Sequence, residues 1–157
     1  MKNILVLCTG NSCRSILGEA LINELSGDQF RAFSAGSFPV GKVNENALRT
    51  LADHGLSVEG YSSQSWDDFS DQDIDIVITV CDNAAGENCP LYLTGAIRAH
   101  WGLPDPAHVT GTDQEVMTAF EETYAALEAR IKAMLSLPLN EMSDQTLTDE
   151  LNKIGLM

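Results

Sequence analysis

Basic side chains are scarce in this chain: nine Lys and Arg stand against 23 Asp and Glu, a net charge of −14 over 157 residues. Such a surface repels nucleic acid and anionic lipid and excludes both as main partners. Long apolar runs are also missing, and nothing approaches the roughly 20 residues that a membrane helix needs. Met1-Lys2 followed by only Ile4 to Leu7 falls far short of a secretory signal, so the expected location is the cytoplasm. Cysteine is sparse, with Cys8, Cys13, Cys81 and Cys89 alone. Without a signal segment they read as reduced, reactive thiols rather than a disulfide scaffold. Their spacings match no usual zinc knuckle and no histidine lies close to either pair, so no metal is expected. Repeats, low-complexity stretches and linkers are absent, which leaves residues 1–157 as a single domain. At 44% hydrophobic residues it can bury a proper core.

What charge there is lies unevenly. Residues 1–50 carry five basic and four acidic side chains, whereas residues 51–157 carry four basic and nineteen acidic ones. An anionic substrate is therefore repelled at long range and must be captured by local geometry. The near-neutral first third is where that geometry belongs.

Apolar patterning predicts strands at Lys2 to Leu7, Phe30 to Ala35, Ile74 to Val80 and Ala96 to Trp101. Helices are predicted over Arg14 to Leu25, Asn44 to His54, Asp113 to Leu135 and Asp144 to Ile154, with a short one from Ser65 to Phe69. Strands alternating with helices imply an α/β fold: a small open, mainly four-stranded parallel sheet with helices on both faces. In such folds the site lies outside the carboxyl ends of the strands. Cys8, Cys81 and the Pro104-Asp105-Pro106 turn all follow predicted strands and should meet at one edge.

The strand Ile4–Leu7 runs directly into Cys8-Thr9-Gly10-Asn11-Ser12-Cys13-Arg14-Ser15. Five residues between a cysteine and an arginine let successive N–H groups form an anion nest, which the following helix N-terminus reinforces. Arg14 brings a planar fork suited to two oxygens of a tetrahedral oxyanion. The same positive surroundings are expected to make Cys8 largely thiolate and nucleophilic. Gly10 is expected to supply the unusual dihedrals. Thr9, Gly10, Asn11, Ser12, Cys13, Arg14 and Ser15 are thus the expected substrate-binding residues.

Attack on an oxyanion needs a proton donor for the departing oxygen. The chain has five prolines, and two of them bracket Asp105, which fixes one carboxyl in a rigid turn. Spacing alone also fits an ordinary turn aspartate. His100 and Trp101 fit either the mouth of the site or plain packing. Cys81 and Cys89, eight positions apart, would sit about 12 Å apart on a helix. A disulfide needs Cα atoms within about 7 Å, so pairing would require the segment to unwind, which Gly86 makes inexpensive. That pattern suggests a redox switch. Cys13 fits a thiol packed under the loop with its N–H serving the anion.

Together these residues resemble the arsenate reductases built on the low-molecular-weight protein tyrosine phosphatase fold. Cys8 to Ser15 matches their loop, Ser34-Ala35-Gly36 the shared second strand, and Val80-Cys81 through Cys89-Pro90 a segment that the phosphatases lack. Asp105-Pro106 matches the family's acid, although Ala107 stands where phosphatases usually have tyrosine. The resemblance implies arsenate as substrate, Cys8 as nucleophile, Asp105 as acid, and Cys81 and Cys89 as resolving thiols. It also implies an external reductant, thioredoxin or glutathione with glutaredoxin, and no bound cofactor. A weak phosphatase side activity and a monomeric state are expected. The alternative is a phosphatase hydrolysing phosphate monoesters with Cys8, Arg14 and Asp105.

Overall fold

The run Ile4–Leu7 becomes the interior of the sheet. In the computed structural model, which describes residues 2–81 and 93–157, β1 (Lys2–Leu7) lies between β2 (Phe30–Ala35) and β3 (Ile76–Thr79), and β4 (Ile97–His100) pairs with β3. All three pairings are parallel, with Ile4 opposite both Ala32 and Ile76, and Ile76 opposite Ile97. The order β2-β1-β3-β4 puts the two most apolar strands inside, where Ile4 to Leu7 and Ile76 to Ile78 are at most 1% exposed. Strands covered on both faces read as continuous apolar runs, and these do. The outer strands alternate, as Arg31 on β2 and Arg98 on β4 reach solvent.

Four helices complete the described chain: α1 (Arg14–Leu25), α2 (Glu45–Asp53), α3 (Asp113–Leu135) and α4 (Asp144–Ile154). Helix α1 lies on the face of Ile4 and Val6. Asn23 on its inner side pairs with both backbone groups of Ala32, at 2.8 and 3.1 Å. The opposite face is covered in part by the 3₁₀ turn Trp66–Phe69, whose Phe69 ring lies 5.3 Å from that of Phe33. Capping sets the helix starts: Asn44, Thr112 and Ser143 each accept backbone N–H groups of the turn they precede. Thr112 and Glu115 do so reciprocally.

The predicted elements hold, with trimmed ends. The strand expected over Ile74 to Val80 contracts to Ile76–Thr79, and Ala96 to Trp101 to Ile97–His100. The helix expected from Ser65 is a single 3₁₀ turn, with Ser65 as its cap. The segment between Cys81 and Cys89, with Cys89 itself, lies outside the described residues. No described helix is long and apolar enough to cross a membrane.

Candidate active site

The ends of β1, β3 and β4 deliver Cys8, Cys81 and, after four further residues, Asp105 to one edge. They line a cleft of about 590 Å³ together with Thr9, Gly10, Ser12, Cys13 and Arg14 of the loop. Val40, Leu103, Pro104, Ala107 and His108 close its sides.

The loop is held from outside. The carbonyls of Thr9, Gly10 and Ser12 accept N–H bonds from Phe38, Val40 and Asn44, at 3.0, 3.0 and 2.9 Å. Within a planar trans peptide the N–H points opposite to the C=O. The N–H groups of Gly10, Asn11 and Cys13 are therefore turned inward, and that of Asn11 donates to the Cys8 sulfur. Fixing the carbonyls outside is what makes the inside an anion cradle.

Two conformational details depart from expectation. Gly10 does not supply the left-handed residue; Asn11 does, with φ +47°. Asparagine tolerates that region, and here its fully buried side chain compensates the strain. Asn11 Nδ2 donates to Ser15 Oγ (2.8 Å) and Ser34 Oγ (3.0 Å), and Oδ1 accepts from the Gln64 N–H (2.7 Å). Ser34 in turn donates to Glu19 at 2.5 Å. Burial, against that hydrogen bond, pushes the Glu19 carboxyl up to about 7. At Gly10 a Cβ would stand 3.3 Å from Cγ1 of the exposed Val40, a tight contact to which that side chain can yield. Gly36 is more constrained still: a Cβ would stand 2.3 Å from the Thr9 carbonyl oxygen. Asn11 and Ser15, expected among the substrate-binding residues, put their side chains behind the loop rather than into the cleft.

Cys8, Cys13 and Cys81 are reduced thiols, each at most 5% exposed. The Cys81 sulfur takes the Thr9 N–H at 3.3 Å and lies 3.5 Å from Thr9 Oγ1. The neighbouring Cys81 side chain, followed by burial, raises the Cys8 thiol above its usual range. Arg14 and the Asn11 N–H pull the other way. The expectation of a largely thiolate Cys8 is thereby corrected for the resting site: the neighbouring sulfur and the dry surroundings outweigh the arginine. Drawing that proton off requires Cys81 to turn away or an incoming group to accept it.

Arg14 reaches across the cleft. Nη1 donates to the Leu103 carbonyl at 2.8 Å and Nη2 lies 3.5 Å from Asp105 Oδ2, while Nε is buried with no hydrogen-bond partner among the described residues. A buried unpaired guanidinium N–H is costly unless a ligand takes it. Asp105 caps the 3₁₀ turn Pro106–His108, with Oδ1 accepting the Ala107 N–H at 2.9 Å. The Cys13 thiol donates to the same oxygen at 3.3 Å. His108 Nε2 is 3.4 Å from Oδ2. The exit of β4 is anchored from α3, where buried Arg130 donates to the carbonyls of Trp101 and Gly102 at 3.0 and 3.3 Å.

Sequence reasoning missed His108, the Leu103 carbonyl, Thr9 as partner of Cys81, and Arg130. Only His108 carried a local signal, three positions after Asp105. Of the two residues with open roles, Trp101 is core, 1% exposed, with its indole N–H on the Leu151 carbonyl. His100 Nδ1 bonds Thr79 Oγ1 at 2.8 Å and does not line the cleft. Among the described residues, no three His, Cys, Asp or Glu side chains are grouped to hold a metal ion.

The arrangement sets one thiol, an oxyanion cradle and a positioned carboxyl in a single cleft with a second thiol. The family model described as low molecular weight phosphotyrosine protein phosphatase matches residues 3–151. A curated arsenate reductase of Halalkalibacterium halodurans is 37% identical over 131 residues, covering 83% of this chain and 93% of that protein. The solved structure of an arsenate reductase from Archaeoglobus fulgidus superposes with a TM-score of 0.71 at 26% identity, over 85% of this chain and 99% of that one. A tyrosine phosphatase of Escherichia coli K30, in complex with sulphate, gives 0.67 at 26% identity, over 85% and 96%.

Proposed function

The chain belongs to the low molecular weight phosphotyrosine protein phosphatase family, and from that premise we propose that it is an arsenate reductase rather than a phosphatase. The observation that carries the choice is a second thiol in the same cleft: Cys81 lines it with Cys8, and its sulfur takes the N–H of the adjacent Thr9 at 3.3 Å. A phosphatase needs Cys8, Arg14 and Asp105 but has no use for a second sulfur against its nucleophile. A reductase needs it as the next nucleophile.

Arsenate enters the cradle with its oxygens on the inward N–H groups and on Arg14, whose unpaired Nε then gains a partner. The Cys8 thiolate attacks arsenic, and one oxygen leaves as water with the proton of Asp105. The Cys81 thiolate attacks the Cys8 sulfur. The sulfur–arsenic bond breaks with its electron pair on arsenic, which departs as arsenite, and the two cysteines are oxidised to a disulfide. Cys89 attacks Cys81, Cys8 leaves as thiolate, and an external dithiol reduces the Cys81–Cys89 disulfide while becoming oxidised itself. Thioredoxin fits that dithiol role, and glutathione with glutaredoxin is the other source. The chemistry belongs to a reducing compartment, the cytoplasm, and uses no bound cofactor. Slow hydrolysis of aryl phosphates by the same Cys8, Arg14 and Asp105 is a side activity.

The test is arsenite production from arsenate by the reduced protein with thioredoxin, thioredoxin reductase and NADPH. Sustained turnover that stops on Cys89→Ser supports the three-thiol cascade. A single stoichiometric burst assigns the reductant to glutaredoxin. Aryl phosphate hydrolysis without arsenite overturns the reading in favour of the phosphatase.

A further inference from the structure

Cys13 is the one cysteine to which the cascade gives no work, yet its thiol is not idle. It stands on the last residue before α1 and reaches over the cleft to the turn that carries the acid, with Sγ 3.3 Å from Asp105 Oδ1. The same oxygen already accepts the Ala107 N–H at 2.9 Å. A carboxylate oxygen offers two in-plane lone-pair sites, and both are taken. Oδ2 is differently placed. Its neighbours are Arg14 Nη2 at 3.5 Å and His108 Nε2 at 3.4 Å, longer contacts than those on Oδ1.

We propose that Cys13 is a positioning residue for Asp105: its thiol pins Oδ1, so that Oδ2 is the oxygen that carries the proton to the departing group. The proposal rests on the reading of Asp105 as the acid. Cys13 then serves both halves of the reaction. Its N–H, turned inward because the Ser12 carbonyl is held from outside by Asn44, belongs to the anion cradle. Its S–H sets the acid facing that cradle. The side chain is 1% exposed, and burial together with the Asp105 charge pushes the thiol up to about 12. The raised thiol favours the S–H form, which is the donor this contact needs.

The experiment compares Cys13→Ala and Cys13→Ser in the full chain, each alone and combined with Asp105→Asn, with arsenate as substrate. Cys13→Ala should lower kcat by about 3–10-fold, the effect of one weak hydrogen bond to a carboxyl, while KM for arsenate moves less than about two-fold. Cys13→Ser, which keeps a donor, should recover most of that loss. In the Asp105→Asn background, Cys13→Ala should cost nothing further, because the group it positions is already disabled. Alkylation and peptide mapping after one turnover without reductant should find the Cys13 thiol intact. An equal loss in both backgrounds, a serine no better than alanine, or Cys13 recovered in a disulfide would each overturn the proposal. If Asp105→Asn itself leaves kcat unchanged, the acid reading fails first, and a Cys13→Ala loss that persists there marks a purely structural role.

Discussion

The Thr9 N–H points at the Cys81 sulfur over 3.3 Å, tying the anion loop to a residue two positions beyond β3. Thr9 follows Cys8 directly, so the contact keeps Cys81 in the cleft that Cys8 lines. The parallel pairing of β1 with β3 makes this possible, with Leu7 opposite Thr79. In the proposed cascade, a second thiol already placed in the cleft saves the entropy of finding it later.

Replacing that second sulfur should separate the two chemistries. Cys81→Ser is expected to abolish arsenate turnover, leaving aryl phosphate hydrolysis within a few-fold of its starting value. Serine keeps a hydroxyl donor at this position but has no sulfur with which to form a disulfide, so only the redox step is lost. Paired assays of both substrates check this, and equal losses would remove Cys81 from the redox role.

Arg14→Lys keeps the charge but removes the fork and the unpaired Nε. The expected loss in kcat/KM for arsenate is about 100- to 1,000-fold, the scale for removing one directed donor from an oxyanion site. Steady-state kinetics on a variant with unchanged Tm would show it. A loss below ten-fold would mean that the N–H groups alone hold the anion.

Gly36→Ala tests how the loop is seated. The new Cβ would lie 2.3 Å from the Thr9 carbonyl oxygen and 2.9 Å from that of Cys8, both backbone atoms that cannot rotate away. The loop must shift, at a cost of about 1–3 kcal/mol in stability, and activity should fall more than the fraction unfolded explains. Urea titration and arsenate kinetics on the same preparation separate the two effects.

Glu19 makes stability depend on pH. Its carboxyl is raised from 4.5 to about 7 by burial, so between those values the folded chain binds more protons than the unfolded one. Stability contributed by this group is therefore full below about pH 4.5 and is lost as pH rises towards 7. The cost of ionising it in place is about 3 kcal/mol. Glu19→Gln, which can still accept from Ser34, should stabilise the protein by about 1–3 kcal/mol at pH 8 and by little at pH 5. Urea midpoints at the two pH values measure it; a gain independent of pH would contradict the assignment.

The local elements and the loop were legible in sequence because each rests on short-range physics. Ile4–Leu7 and Ile76–Thr79 are apolar enough to be interior strands in any arrangement, and Asn44, Thr112 and Ser143 cap their helices from within one turn. The spacing from Cys8 to Arg14 fixed the anion loop, and two prolines marked Asp105. Patterning along the chain set the order of the elements, the edge where the site lies and the type of chemistry expected there. Which atoms meet was left to packing. It brought Cys81 onto the Thr9 N–H and raised a Cys8 thiol expected to be lowered. It gave the left-handed turn to Asn11, and set Cys13 on Asp105 from 92 positions away. The physical reason is that burial and hydrogen-bond partnership belong to neighbours in space. Patterning along a chain reports which residues go inside, and only packing decides which of them touch.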